Sequence, residues 1–294
     1  MISETTTERL EINVPVPAPV EPKKVRREPS KGWWDSLKLD ELWNYRELFY
    51  FLVWRDLKVR YKQTVLGASW AILQPLLTMV VFSVVFGRLA GIASDGSPYP
   101  IFSFAALVPW TFLANGLTHG SQNLVTASNM VRKVYFPRIT MPTAAVLAGL
   151  ADLGLAFPFL LGIALVYGYW PTATLLWLPV FLILALLTTI GAALWLAAFN
   201  VQFRDVRHAV PFLIQIWLFA TPVAYPASLV PEHWRMAYAM NPMATVVEGF
   251  RWAVVGKATL STGMITVSFL VAFLLLVTAV IYFRKMERTF ADVI

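Results

Sequence analysis

The sequence predicts an all-α integral membrane protein with six transmembrane helices, and three observations support this fold class. Hydrophobic residues make up 58% of the chain and charged residues only 14%, against roughly 25% charged residues in a soluble globular protein. Six stretches each hold the run of about 20 apolar residues that a helix needs to cross a bilayer. Lysine and arginine concentrate in alternate connecting loops, as they do in multi-pass membrane proteins.

Two regions precede the predicted spans. Residues 1–32 are polar and rich in proline, with no apolar core, which predicts a disordered cytoplasmic tail and no secretory signal. Within residues 33–64, large apolar residues recur at helical spacing beside a basic stripe, namely Tyr50, Trp54, Leu57 and Tyr61 next to Arg55, Lys58 and Lys62. This pattern predicts an amphipathic interfacial helix that lies along the cytoplasmic surface of the membrane.

The transmembrane domain is predicted over residues 65–284, followed by a short cytoplasmic C-terminus at 285–294. Its spans are predicted near residues 65–87, 101–125, 141–168, 173–199, 209–227 and 263–283. Residues 228–257 are too polar to cross the bilayer and too apolar for a free loop. Because Pro231 favours a helix start and Asn241-Pro242 a break, this stretch is predicted to form a re-entrant helical hairpin on the outer side.

The distribution of positive charge predicts the orientation in the membrane. Of the 24 lysines and arginines, 20 fall before the first span, after the second, after the fourth or after the sixth. Positively charged loops stay in the cytoplasm, so both termini are predicted to be cytoplasmic. Topology therefore explains the net charge of +7, and we expect no nucleic-acid partner.

The sequence lacks the motifs of catalytic and metal sites. The chain has no cysteine, and its three histidines fall in three separate segments. The nearest approach to a Walker loop, Gly249 to Gly256-Lys257, has the wrong spacing between its glycines and lacks the following serine or threonine. We therefore expect no catalytic residue, no metal and no cofactor on this chain.

Asp152 lies near the middle of the third predicted span, where a charge costs roughly 2.5–3.5 kcal/mol on insertion scales. One interpretation makes it part of a polar transport path or a proton site. The other makes it a structural residue that is protonated or hydrogen-bonded to a neighbouring helix. The residues themselves leave both interpretations open.

Aromatic residues in and near the spans are candidates for lining a translocation path, namely Phe82, Phe86, Trp110, Trp217, Phe219 and Tyr225. Flat rings offer apolar faces along which the C–H groups of sugars can slide. Tryptophan and tyrosine are also common at membrane interfaces, so an anchoring or packing role is the alternative for each residue.

The loop at residues 128–138 is short, basic and aromatic. Asn129 is a suitable cap for a brief helix, and Pro137 would end it. A compact helix between two spans can act as a lever on both. The alternative is an ordinary positively charged loop.

Four segments together resemble the permeases of type-2 ABC exporters. The first runs from Arg55 to Gly67 and continues to Trp70 and Leu73-Gln74-Pro75, which is similar to the start of the family's first span. The other three are Lys133-Val134-Tyr135-Phe136-Pro137-Arg138, Asn200-Val201-Gln202-Phe203-Arg204-Asp205-Val206, and Asn241-Pro242 with Arg251. They occur in order over roughly residues 35–290, and the likeness is strongest for exporters of polysaccharides such as O-antigen and teichoic acid.

The resemblance implies a homodimer that works with two copies of a separate ATPase subunit, which would bind the ATP and magnesium. It implies a path between the two permease copies, lined largely by spans one and five. It places the ATPase-coupling helix in 128–138, with the contact residues Asn129, Arg132, Lys133, Tyr135, Phe136, Pro137 and Arg138. Arg204 and Asp205 would belong to the second cytoplasmic loop. Residues 228–257 would form an outer gate with the charged residues Glu232, Arg235, Glu248 and Arg251.

The function expected from this resemblance is ATP-driven export of a polyprenyl-pyrophosphate-linked polysaccharide across the bacterial inner membrane. Four basic residues near the cytoplasmic entrance would attract the anionic lipid head, namely Arg55, Lys58, Arg60 and Lys62. Three alternatives are an exporter of small lipophilic compounds, a proton-coupled carrier, and a membrane-embedded enzyme or scaffold of envelope synthesis.

Overall fold

The computed structural model describes residues 43–62, 67–133, 136–256, 260–287 and 290. Within these residues the chain forms helices and connecting turns, and no strand is among them. The predicted tail, residues 1–32, lies outside the described part of the chain.

Ten helices are numbered here in chain order. They are α1 Arg46–Tyr61, α2 Trp70–Phe82, α3 Tyr99–Thr126, α4 Ser128–Lys133, α5 Thr140–Val166, α6 Leu178–Gln202, α7 Val206–Ala220, α8 Glu232–Tyr238, α9 Pro242–Val255 and α10 Thr262–Glu287. A π-helical segment, Ser83–Leu89, continues α2 without a break, and a 3₁₀ turn, Ala173–Trp177, leads into α6.

Five helical stretches of the described residues are long and apolar enough to cross a bilayer. They are Gly67–Leu89, Tyr99–Thr126, Thr140–Val166, Ala173–Gln202 and Thr262–Glu287. These stretches confirm the all-helical membrane class, and each lies within a few residues of a predicted span.

The remaining predicted span, 209–227, which is fifth in chain order, corresponds to the shorter helix α7 of 15 residues. At 1.5 Å per residue α7 is about 22 Å long, less than the roughly 30 Å of a hydrocarbon core. The helix ends because Thr221 is extended and precedes Pro222, which disfavours helical geometry in the residue before it. A sixth crossing therefore stays a prediction.

Helix α3 is the centre of the bundle, with 17 of its 28 residues buried. It packs mainly against α5 and α6, and α2, α7 and α9 pack around it. The approach to α6 is close at Gly116, where a Cβ atom would lie 2.5 Å from Thr189 Cγ2. Small residues allow membrane helices to approach in this way.

Gly116→Ala should lower the stability of the folded chain by about 1–3 kcal/mol, because the added methyl group overpacks the α3–α6 contact. Thermal unfolding of the purified protein in detergent measures the effect. Gly154→Ala in α5 is the matched control, since its Cβ would meet no atom within 4 Å. Equal unfolding temperatures for the two variants would contradict the close packing.

Helix α1 packs along the first half of α5, with Leu52 fully buried between the helices. Its exposed face carries the aromatic and the basic residues together at intervals of four, namely Tyr50, Trp54, Lys58 and Lys62. The predicted separation of an aromatic face from a basic face therefore differs from this arrangement. The reason is that aliphatic side chains such as Leu48 and Leu52 make the contacts with the bundle, so the aromatic rings of Tyr50 and Trp54 remain outside.

Candidate transport site

The predicted coupling segment lies at one end of the bundle, here called the α4 end. Asn129 and Lys133 are exposed on α4. Asn129 lies within the first turn of this helix, so the predicted capping role is wrong: the helix already begins at Ser128. Tyr135 and the side chain of Arg132 lie outside the described residues, and the described part of α4 extends to Lys133.

The end of this segment is bound to the last helix. Phe136 is buried in an apolar cluster with Val131, Phe283 and Phe290. The backbone N–H of Arg138 donates to Glu287 Oε1 at 2.8 Å, and Arg138 Nη1 donates to the Glu287 carbonyl at 2.6 Å. The predicted coupling residues Phe136, Pro137 and Arg138 therefore connect α4 to the end of α10.

A second set of polar contacts joins the α4 end to α1. Arg55 pairs with Asp56 at 2.7 Å and donates to Met130 Sδ at 3.5 Å. Asn123, near the end of α3, donates to Asp56 Oδ2 at 2.9 Å and to the Met141 carbonyl of α5 at 3.1 Å. These contacts connect α1, α3, α4 and α5, and no sequence motif had marked Asn123 for this role.

The C-terminal end of α1 pairs with the middle of α5. Arg60 forms an ion pair with Asp152, and the Tyr61 hydroxyl donates a hydrogen bond to the same carboxylate. Burial and this hydrogen bond raise the pKa of Tyr61 above its ordinary value, which keeps the hydroxyl a donor.

These contacts divide the four predicted headgroup residues into two kinds. Arg55 and Arg60 form ion pairs with Asp56 and Asp152, and both arginines are partly buried. Lys58 and Lys62 are exposed, and the Lys58 ammonium lies 5.4 Å from the centroid of the Trp54 ring. The two lysines are the exposed members of this group.

The second predicted cytoplasmic loop also lies at the α4 end. Arg204 and Asp205 are exposed between α6 and α7. Asn200, four residues before Arg204 in the last turn of α6, donates to the Ser121 carbonyl near the end of α3 at 2.8 Å and so holds the start of this loop close to the end of α3.

The four predicted gate residues form two separate pairs at the opposite end of the bundle. Glu232 and Arg235 form a 3.4 Å pair on α8, and Glu232 is 89% exposed. Glu248 and Arg251 form a 2.8 Å pair on α9, and both are buried. The structure therefore places one pair at the surface and the other in the protein interior.

Arg251 connects three parts of the chain. Its Nη2 donates to the Val223 carbonyl at 2.7 Å, and its Nε donates to the Phe102 carbonyl of α3 at 3.1 Å. The guanidinium also lies 3.6 Å from the centroid of the Phe102 ring. A planar group with five donors can make all these contacts at once, which a lysine cannot.

The candidate aromatic residues do not form one continuous lining within a single chain. Phe82 and Phe86 pack edge to face at 5.1 Å along α2 and its continuation. Trp110 is buried and packs against Trp217 of α7 at 6.5 Å. Trp217 also donates to Asn241 Oδ1 at 2.9 Å, which joins α7 to the start of α9.

Phe219 is exposed on α7, and Tyr225 lies in the turn that follows. The Tyr225 hydroxyl donates to the Phe219 carbonyl at 2.9 Å and contacts the Tyr238 hydroxyl at 2.8 Å. The candidates thus fall into a pair on α2, a buried pair between α3 and α7, and a pair at the end of α7.

Long apolar helices around a buried central helix, with short polar helices at both ends, define a multi-pass membrane protein. Comparison with known families makes the class specific. The ABC-2 type transporter family matches residues 47–255, and the chain belongs to this family. This confirms the predicted type-2 ABC permease class.

Individual relatives carry more specific names. The chain is 34% identical over 213 residues to the O-antigen export system permease protein RfbA of Myxococcus xanthus, covering 72% of this chain and 81% of the relative. It is 27% identical over 241 residues to a protein of the same name from Klebsiella pneumoniae, covering 82% and 92%. It is 22% identical over 202 residues to the polysialic acid transport protein KpsM of Escherichia coli, covering 68% and 78%.

Proposed function

We propose that this chain is the membrane-spanning permease subunit of an exporter that moves a polysaccharide out of the cell. The observation that carries the proposal is the similarity, over 72% and 82% of the chain, to two permeases named for O-antigen export. The cargo is a glycan on a polyprenyl-pyrophosphate lipid, and the membrane is the bacterial inner membrane.

A separate ATPase subunit docks on the α4 end and hydrolyses ATP there. The exposed face of α4 with Asn129 and Lys133 is the contact surface, together with Arg204 and Asp205 of the second loop. Arg138 is hydrogen-bonded to Glu287, and Met130 is hydrogen-bonded to Arg55. A displacement of residues 128–138 by the ATPase would therefore act on α10 and α1 as well as on α3 and α5.

Lys133→Glu should weaken binding of the ATPase subunit about tenfold or more, because it reverses an exposed charge on the docking helix. Copurification of the two subunits and the ATPase rate of the complex measure the effect. Glu232→Lys, an exposed charge reversal at the opposite end, is the control and should leave binding unchanged. Wild-type ATPase binding by Lys133→Glu would contradict docking at α4.

Two copies of the chain pair along α2 and α7. Within one chain, Val210 is the one buried residue of α7, and α2 buries only Pro75 and Met79. Large apolar side chains of a membrane helix can face lipid, so their exposure alone does not indicate pairing. The short length of α7 is the feature that favours pairing, because a helix shorter than the hydrocarbon core fits the bilayer best when a second protein surface covers it. The path then runs between the copies, next to Phe82, Phe86 and Phe219.

The lipid pyrophosphate approaches along the exposed face of α1. Lys58 and Lys62 offer exposed ammonium groups there, that of Lys58 beside the Trp54 ring. Arg55 and Arg60 serve to hold α1 in place instead. Both termini are cytoplasmic in this arrangement, which agrees with the basic residues Lys133, Arg138, Arg204 and Lys285 on the α4 side.

The assembled permease and ATPase complex in lipid vesicles tests the cargo. Lipid-linked glycan should stimulate ATP hydrolysis, and deletion of the gene should leave that lipid on the cytoplasmic face of the membrane. Stimulation by small lipophilic compounds without any response to the glycan would instead identify a drug exporter. Unchanged surface polysaccharide in the deletion strain would remove the glycan assignment.

A further inference from the structure

A cavity of about 200 Å³ lies at the end of the bundle opposite α4, between α6, α9 and α10. Its wall is aromatic and aliphatic, with Trp177, Phe181 and Trp252 on one side and Leu260 and Ile265 on the other. Two hydroxyl groups, from Ser261 and Thr262, are its polar lining groups in the described part of the chain.

The aromatic wall is held rigidly. Trp252 packs edge to face against Trp177 at 6.3 Å and against Phe181 at 6.4 Å. Thr174 donates to the Ala253 carbonyl at 2.9 Å, which fixes the turn that carries Trp177 onto α9. Phe181 is buried, and its ring packs closely on Gly249, where a Cβ would come within 2.2 Å of the ring.

The size and lining of the cavity suit an apolar guest. An apolar cavity of about 150 Å³ remains dry and accepts a molecule as large as benzene. This cavity is larger, and its aromatic surfaces would be poorly hydrated if it stood empty. A segment of a hydrocarbon chain can pack against the aromatic and aliphatic side chains of this wall.

The cavity lies beside an apolar part of the protein surface. Trp177, which lines the cavity, is 51% exposed, and α10 carries the exposed apolar residues Leu270, Phe273 and Leu274. Helix α10 is one of the five stretches that are long and apolar enough to span the membrane. A guest that enters from this side comes out of the lipid phase and not out of water.

We infer that this cavity is a binding site for one acyl chain of a membrane phospholipid, inserted between α9 and α10. The Ser261 and Thr262 hydroxyls lie where the chain would leave the cavity toward its polar glycerol end. The bound chain would press on α9, the helix that carries the buried Glu248–Arg251 pair. The site is independent of the cargo and of the proposed export activity.

A photoreactive lipid tests this site in membrane vesicles that contain the full-length chain. The probe is a phosphatidylethanolamine with a diazirine at the end of one acyl chain. After illumination, peptides that contain Trp177, Trp252 or Ile265 should carry the label. Ile265→Trp, which fills the cavity, should reduce this labelling at least fivefold, and Leu260→Trp, at a second lining residue on the same side, should do the same.

Leu270→Trp is the matched control, because it adds the same ring to the exposed surface of α10 outside the cavity and should leave the labelling intact. Thermal unfolding of each variant checks that it is folded. Equal labelling in the filled variants and the control would show only ordinary lipid contact and overturn the site. Displacement of the label by a soluble oligosaccharide would also overturn it, since the occupant would then be a sugar.

Discussion

Arg251→Met should destabilise the folded chain by about 3–5 kcal/mol, the range expected when one partner of a buried ion pair is removed. The change leaves the Glu248 carboxylate buried without its cation, and it leaves the carbonyls of Val223 and Phe102 without their donor. Chemical and thermal unfolding in detergent measure the loss, together with the amount of chain that accumulates in the membrane.

Arg235→Met is the matched control for Arg251→Met. Arg235 also pairs with a glutamate three residues earlier in sequence, but its partner Glu232 is 89% exposed. Exposed ion pairs contribute at most about 1 kcal/mol, so this variant should remain close to the wild type. Equal stability of the two variants would show that Arg251 does not hold α9, α3 and the turn at Val223 together.

Asp152→Leu should uncouple ATP hydrolysis from export and lower stability by about 3 kcal/mol. It leaves the Arg60 guanidinium without its counter-ion between α1 and α5, and it removes the acceptor of the Tyr61 hydroxyl. Because α1 is bonded to the coupling segment through Arg55 and Met130, detaching its other end should interrupt the transmission of movement from α4 to the middle of α5. ATPase and glycan transport rates measured on the same vesicles report this loss of coupling.

A double variant separates a structural ion pair from a proton site. Arg60→Met together with Asp152→Leu removes both charges, so neither is left unpaired, and its stability should exceed that of either single variant. Partial recovery of coupled export in this double variant supports the structural interpretation. A proton-coupled carrier requires the carboxyl group itself. In that case the double variant would remain inactive, and transport by the Asp152→Asn variant would no longer depend on the pH gradient.

The spans could be predicted because they depend on local properties. Length and hydropathy alone placed five stretches within a few residues of the helices found, and Pro222 explains why α7 ends before the predicted limit of 227. The family could also be predicted, because each of its motifs, such as Arg55 to Gly67 and Lys133 to Arg138, is one unbroken stretch of sequence. These features need no knowledge of which helices touch.

The partners of the charged residues could not be predicted, because each partner is distant in sequence. Arg60 and Asp152 are 92 residues apart, so the sequence showed a headgroup residue and an isolated intramembrane charge where the fold has one ion pair. Arg251 was predicted to be a charged residue of an outer gate. Its contacts with the interior could not be predicted, because two of its acceptors are backbone carbonyls, which any residue type provides. Glu287 gave no signal, although it holds Arg138.

The bonds between Arg138 and Glu287 also set an order of events during biosynthesis. The two residues are 149 positions apart, so a ribosome that adds about 5–20 residues per second needs roughly 7–30 s between them. We expect the surface around α4 to acquire its final form only after the last helix has been synthesised and inserted. A nascent chain would then recruit its ATPase late, and a chain truncated before Glu287 should insert into the membrane without binding it.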